Sequence, residues 1–221
     1  MVKLSHSYSS LKQYEQCPLR YKYQRITKEV KDKPGEASIY GERVHQQLED
    51  RLKAREPLPT ESAAYEVLCS AFEDMPGELW AEQAYTLNEK LEPTGWWDDD
   101  AWLRSKLDVL VLDDNRALVA DWKTGKYRPD FNQLELFALQ VFSHHPEIDT
   151  VQAAFIWLKD MKQDYKTYKR EDTATLWARV LARINMIEVS LEHNNWPARA
   201  SGLCPWCPAF DICDYAIGAR R

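Results

Sequence analysis

LRSKLDVLVLDDNRALVADWK, residues 103–123, decides how this chain folds. Two apolar stretches, Leu103–Leu112 and Arg116–Lys123, flank the turn-forming cluster Asp113-Asp114-Asn115, so the segment reads as a β-hairpin. Side chains alternate along a strand, which puts Asp121 and Lys123 on one face, and the turn brings Asp108 alongside them. Two carboxylates at one spot repel unless a cation lies between them. Mg²⁺ or Mn²⁺ suits that place, because a hard divalent ion takes carboxylate oxygens, keeps waters and can ligate a phosphate oxygen. Lys123 would then steady or deprotonate the attacking water. A D-x-K pattern is short, however, and a surface hairpin with solvated charges carries the same letters.

Working outward, a helix is expected from Ser7 to Arg25, with its N-cap among Ser7, Ser9 and Ser10, then a charged loop to about Ala37. A second helix is expected from Ser38 to Lys53 on the stripe Val44, Leu48 and Leu52, a third over residues 61–75, and a strand from Leu79 to Leu87. Glu89 to Asp100 reads as an acidic loop. Beyond the hairpin, Pro129 opens a helix with Leu134, Phe137, Ala138 and Val141 inward, followed by strands at Thr150–Leu158 and Tyr165–Lys169. Leu176, Val180, Ile184, Ile187 and Leu191 mark a long last helix. This order predicts an α/β layered fold with a mixed central sheet flanked by helices. No repeat, low-complexity segment or linker divides the chain, so one domain is expected, with a compact tail from Trp196 that has no core of its own.

Apolar content of 44% and nine tryptophans support a packed globule. No run of about eighteen apolar residues is present, and Met1-Val2-Lys3-Leu4-Ser5-His6 lacks the apolar core of a secretory signal, which together predict a cytoplasmic protein without membrane contact. The net charge of −6 does not advertise nucleic acid, but local patches rather than totals touch a phosphate backbone. Residues 19–33 carry Arg20, Lys22, Arg25, Lys28, Lys31 and Lys33 among Tyr21 and Tyr23, the mixture of charge and stacking surface that single strands favour; a solvated helix face is the plain alternative.

Two further residues bear on the acid pair. His45, in G-x-x-V-H, lies one step from the apolar stripe of its helix and could join the carboxylates as a metal ligand, though a lone histidine is also a common structural residue. Gln133, one turn into the helix after the hairpin, could orient Lys123 or hold a phosphate; simple solvation is the alternative. Glu82 and Asp98-Asp99-Asp100 are weaker candidates, the run reading as solvated loop.

Taken in order, His45, Asp108 in an apolar strand, Asp121-Trp122-Lys123-Thr124-Gly125 and Gln133-x-x-x-Phe137 resemble the RecB-like branch of the PD-(D/E)xK nucleases, which have a restriction-endonuclease-like core. The resemblance covers about residues 5–215. It implies that His45, Asp108, Asp121 and the main-chain carbonyl of Trp122 bind Mg²⁺ or Mn²⁺, that Lys123 is the catalytic lysine, and that Gln133 supports the site or contacts DNA. Asp108, Asp121, Lys123 and Gln133 would thus form the catalytic set. Phe137 replaces the family's usual tyrosine, and Ser105-Lys106 stand where a glycine often precedes the first aspartate; neither change removes a ligand.

Five cysteines, unevenly spaced, argue against a disulfide framework. Cys204-x2-Cys207-x5-Cys213 with Cys17 makes a four-thiol set, equally suited to zinc or an iron–sulfur cluster by geometry alone, while Cys69 sits in an apolar helical stretch as a structural residue. Here too there is a resemblance: an N-terminal Cys-Pro with a C-terminal C-x2-C-x5-C is similar to the iron–sulfur subgroup that includes the AddB nuclease domain, the exonuclease V family and nucleases of CRISPR adaptation. It implies a 4Fe–4S cluster, with zinc as the alternative, stapling segments 5–25 and 196–215 around a core of about 38–195. By the logic of loop closure such a staple would remove several kcal/mol of unfolded-chain entropy, about 5.

The expected activity is metal-dependent hydrolysis of DNA, single-stranded or at duplex ends, as an exonuclease with single-stranded DNA favoured, in recombination, repair or genome processing. No G-x-x-x-x-G-K-[ST] loop is present, so unwinding would need a helicase or a recombination or adaptation partner. Two other functions would keep the same residues: a DNA-binding adaptor that retains the fold without cutting, and a zinc-stabilised binding module with surface acids on its hairpin.

Overall fold

Five strands, Glu78–Leu87 (β1), Leu103–Asp113 (β2), Arg116–Lys123 (β3), Thr150–Trp157 (β4) and Lys162–Lys169 (β5), form one sheet in sequence order. They belong to a computed structural model that describes residues 4–220. β1–β2, β2–β3 and β4–β5 are antiparallel, whereas β3–β4 is parallel, so the sheet is mixed as expected. A parallel neighbour cannot follow a tight turn. The helix Phe131–His144 (α5) supplies the crossover, and every residue from Leu134 to Phe142 on it is buried.

The hairpin closes through Asp114 and Asn115, one residue tighter than expected, because Asp113 still pairs with Arg116. Asp114 takes a left-handed backbone (φ 49°), which an aspartate tolerates better than a branched residue. α5 begins at Phe131 rather than at Pro129, and Asp130 caps it by accepting the N–H of Asn132.

Helix Glu36–Ala54 (α3) buries Val44, Leu48 and Leu52 in a cluster with Val109 and Val111 of β2, Ala120 and Trp122 of β3, and Ala154 and Ile156 of β4. Helix Glu66–Glu73 (α4) adds Cys69 and Phe72 to it, and the 3₁₀ turn Ala63–Tyr65 precedes that helix within the region expected to be helical. Arg51 of α3 ties the two helices together through Glu66 (2.5 Å) and Glu73 (2.8 Å). The alternate residues Leu110, Val119 and Phe155 are also buried, and Phe155 meets Phe131 of α5 at 6.4 Å.

The chain divides into two compact units. One, Gly35–Trp177, contains the sheet. The other draws on both ends of the chain, up to Pro34 and from Ala178. In it, the helix expected from Ser7 to Arg25 is broken into Tyr8–Gln16 (α1), Pro18–Tyr21 (α2) and a π turn, Lys22–Ile26. Pro18 causes the break: its ring disfavours helical backbone at the preceding residue, and Cys17 is extended (φ −163°, ψ 107°). Tyr21 is a core residue here and not the stacking surface its basic neighbours suggested. It is 1% exposed and stacks on Trp196 at 6.0 Å, with Tyr14 edge-on to both rings. The Tyr14 hydroxyl also meets Met186 O (2.9 Å) and Ser190 Oγ (2.6 Å) on the last helix, Thr173–Glu192. The tail carries two 3₁₀ turns, Cys204–Trp206 and Phe210–Ile212.

Among the described residues no helix is long and apolar enough to cross a membrane.

Candidate active site

β2 leaves its ladders at Asp108. β1 pairs Ala81 with Val109 and Gln83 with Leu107 but skips Glu82, whose backbone is left-handed (φ 50°), and the β2–β3 pairing ends at Val109 and Ala120. Asp108 thus sits where β2 and β3 part, opposite Asp121 in the register. Strain of this kind collects where a site needs a side chain turned out of the regular pleat.

The expected catalytic residues converge there. Asp108 Oδ2 accepts the main-chain N–H of Trp122 at 2.7 Å, and Asp108 Oδ1 lies 3.3 Å from His45 Nδ1. A carboxylate only accepts, so the imidazole proton belongs on Nδ1, leaving Nε2 free for a ligand. Asp121, with its side chain 7% exposed, accepts Gln133 Nε2 on Oδ1 at 3.0 Å and pairs through Oδ2 with Lys123. Lys123 Nζ in turn donates to Gln133 Oε1 at 3.0 Å and lies 5.0 Å above the Phe155 ring. Only one orientation of the Gln133 amide serves both neighbours, its oxygen toward the ammonium and its NH₂ toward the carboxylate. The Trp122 indole is in the core, 5.5 Å from Phe72, so only its main chain can serve the site. Phe137 is buried in α5.

Burial, followed by the charge of Asp108, pushes the Asp121 carboxyl up to about 6 despite Lys123. Burial alone would lower His45, but its hydrogen bond to Asp108 and the charges of Asp108 and Asp121 outweigh this and raise it. Two crowded carboxylates thus face one ammonium and one imidazole. Among the described residues no three or more His, Cys, Asp or Glu side chains stand preassembled as a metal cage. The donor set nonetheless fits a hard divalent cation: Asp121 Oδ2 is buried with no hydrogen bond, held only by its ion pair with Lys123.

Gly41, four residues before His45 on α3, explains part of the G-x-x-V-H pattern. A Cβ there would lie 2.9 Å from Thr124 Oγ1, so the glycine lets α3 approach the turn that follows Lys123. Glu82 pairs with Lys106 at 2.7 Å. Asp98, Asp99 and Asp100 are an exposed loop, as expected, within which Asp98 and Asp100 accept from Thr94 at 3.0 and 2.6 Å and Asp98 also from Gly95 N.

The four cysteines singled out in the sequence, Cys17, Cys204, Cys207 and Cys213, line one cavity of about 240 Å³. All are free thiols. The Pro18 break turns Cys17 toward this cavity. Main-chain N–H groups approach two of the sulfurs, Arg199 N to Cys17 Sγ at 3.4 Å and Ser201 N to Cys204 Sγ at 3.3 Å. Hydrogen bonding from Ser201 and Ile217 lowers Cys204, while burial raises Cys207. The four side chains share this cavity, yet among the described residues no three of them stand assembled as a metal site. Cys69 is elsewhere, fully buried in α4, where burial pushes its thiol up to about 11.

The sequence matches the family model of the PD-(D/E)XK nuclease superfamily over residues 5–214, and the chain belongs to that superfamily. Solved structures agree at the level of fold. A "Putative exonuclease" from Eubacterium rectale is 14% identical with a TM-score of 0.53, covering 98% of this chain and 90% of that one. The structure of SSO0001 is 14% identical with a TM-score of 0.52, covering 99% and 91%. No protein of curated function matches the sequence.

Proposed function

We propose that this nuclease is a Mg²⁺- or Mn²⁺-dependent deoxyribonuclease of the RecB-like branch and its iron–sulfur subgroup, acting as an exonuclease with single-stranded DNA favoured. One observation carries the reading: Asp108 and Asp121 meet where β2 and β3 part, with Lys123 locked between Asp121 and Gln133. His45, Asp108, Asp121 and the Trp122 carbonyl would hold the metal. Once bound, it would polarise the scissile phosphate and lower the pKa of a bound water.

The protein's own groups supply the rest. The Lys123 ammonium stabilises charge as it builds on the phosphate or directs the water's proton, beside the buried Asp121 carboxyl, where such contacts count for more. Gln133 keeps that ammonium from swinging away, and the Trp122 N–H holds Asp108 in register with Asp121. The name of one fold relative, "Putative exonuclease", agrees with end-directed cutting.

Cys17, Cys204, Cys207 and Cys213 would hold a structural 4Fe–4S cluster that staples segments 5–25 and 196–215 within a single nuclease domain. The protein would act in the cytoplasm on DNA delivered by a helicase or by a recombination or adaptation partner. Cleavage of end-labelled single- and double-stranded DNA with Mn²⁺ tests the activity. Wild type should cut single strands fastest and Lys123→Ala should not cut; a purified Lys123→Ala protein cutting at the wild-type rate would refute the assignment.

A further inference from the structure

Beyond the acids, an open cleft of about 480 Å³ lies in the sheet-bearing unit, lined by Tyr40 of α3, by Thr124, Gly125 and Lys126 just past Lys123, and by Lys159 after β4. Its chemistry is distinct. The Tyr40 ring has the Arg43 guanidinium 5.8 Å and the Lys159 ammonium 5.7 Å from its centroid. Lys126 and Lys159 are exposed, and neither has an ion-pair partner among the described residues, whereas Lys53, Lys106 and Lys169 each pair with a glutamate. Nothing lies within 4 Å of where a Cβ on Gly125 would be, so a ligand can come close to the backbone there.

We propose that this cleft is the subsite for a nucleotide neighbouring the scissile phosphate, with Tyr40 as the stacking platform for its base and Lys126 and Lys159 as contacts to the flanking phosphates. The inference rests on the proposed activity. Only Thr124 and Gly125 separate Lys123 from Lys126, so a strand whose phosphate sits at the acids must pass this cleft or turn away from it. Unpaired cations beside an aromatic face are what an unstacked strand can use, since each base presents a π-face and each linkage a charge. Duplex DNA, with its bases already stacked, gains only the charge. The cleft would therefore supply the single-strand preference. Glu36 is in its lining and would repel phosphate.

Fluorescence anisotropy with a labelled dT20 oligonucleotide in EDTA, where no cutting occurs, tests the subsite; steady-state cleavage with Mn²⁺ accompanies it. Tyr40→Leu should weaken dT20 binding about tenfold, and an abasic 20-mer should not register the substitution. Tyr40→Phe keeps the ring and should bind as wild type. The double variant Lys126→Ala/Lys159→Ala changes only exposed side chains. It should raise KM more than it lowers kcat and should flatten the salt dependence of log Kd by about 1.4, some 0.7 for each lost phosphate contact. If wild type cuts DNA but the double variant keeps its KM and salt slope, the subsite is wrong and the nuclease reading stands. If Tyr40→Leu, folded as judged by its Tm, binds dT20 as tightly as wild type, the base platform is wrong. Wild type that neither binds nor cuts DNA would overturn both readings.

Discussion

The Asp108 carboxylate accepts the main-chain N–H of Trp122 at 2.7 Å, so a side chain of β2 completes the hydrogen bonding of β3 just past the last ladder pair. Under the proposed function the same carboxylate has two duties, one structural and one chemical, and two substitutions separate them. Asp108→Asn keeps an acceptor for Trp122 and loses the charge; Asp108→Ala loses both and leaves a main-chain N–H without its partner. Cleavage should be abolished in both. Stability should distinguish them: the unsatisfied group in Asp108→Ala costs about 1–3 kcal/mol. In a chain of this length that lowers Tm by about 2–4 °C per kcal/mol. Thermal unfolding beside a cleavage assay checks this, and equal Tm losses in the two variants would show the hydrogen bond to be unimportant.

Gln133 touches Lys123 and Asp121, and in the proposed mechanism it would act through both as a positioning residue. Gln133→Ala should lower kcat by about 10–100-fold, the usual cost of removing a group that orients a ligand or catalyst. Gln133→Glu should be worse. It places a third carboxylate against Asp121, whose own carboxyl is already raised to about 6 by burial and by Asp108. The pH–rate profile provides the readout: its acidic limb should move upward in Gln133→Glu and remain near the wild-type position in Gln133→Ala. Identical profiles for both variants would place Gln133 outside the electrostatics of the site.

Much of this site is legible in the linear sequence because its determinants are local or periodic. The two-residue alternation from Asp121 to Lys123 and the short turn after Asp113 fix which side chains share a face, and the spacing of Val44, Leu48 and Leu52 fixes the buried stripe beside His45. What could not be read depends on neighbours distant in sequence. The left-handed Glu82 opposite Asp108 belongs to β1, and nothing in its flanking residues announces it. Tyr21 is followed by basic residues and reads as exposed, yet Trp196, more than 170 positions away, buries it. The break at Cys17 was legible, since the residue before a proline avoids helical backbone, but the apolar pattern on either side continues through it. β5 extends back to Lys162 through charged residues that propensity alone leaves as loop, because pairing with β4 overrides propensity.

The histidines make stability depend on pH. Burial holds His144 down to about 4, where it stacks on Tyr85 at 4.1 Å and its Nε2 lies 3.2 Å from Thr86 O, and burial lowers His6 to about 4 as well. A histidine whose folded pKa is depressed stays neutral in the fold while the unfolded chain takes up a proton, so stability is full above about 6.5 and falls as pH drops toward 4. Each such group contributes a slope of about 1.4 kcal/mol per pH unit in that window. Asp121 works in the opposite sense: its raised carboxyl makes the metal-free fold gain stability as pH falls below about 6. Urea unfolding of wild type and His144→Phe at several pH values between 7 and 4.5 isolates one histidine from the rest. The two proteins should differ by an amount that shifts with pH along that slope; a constant difference would mean that His144 titrates normally in the fold. The same carboxyl should govern metal uptake, with apparent affinity for Mn²⁺ falling as pH drops below about 6, measurable by calorimetry on uncut protein.

The cysteines divide into two chemical kinds, and substitution should keep them apart. Cys17, Cys204, Cys207 and Cys213 share one cavity, whereas Cys69 is packed in α4 with its thiol raised to about 11. A thiol so disfavoured as an anion is a poor metal ligand. If the proposed cluster is present, Cys17→Ala should lose bound iron and any visible absorbance and lower Tm sharply, because Cys17 would be its single ligand from the N-terminal segment and its loss would open the longest loop the staple closes. Cys69→Ala should retain full metal content and cost only packing, about 1–2 kcal/mol for a small buried side chain. Metal analysis of anaerobically purified protein decides the ion: about four irons per chain with a broad visible band supports the cluster, one colourless zinc supports the alternative, and equal metal content in wild type and Cys17→Ala would remove Cys17 from the ligand set altogether. The nuclease site lies in the other unit, so Asp108→Asn should keep its iron while losing cleavage.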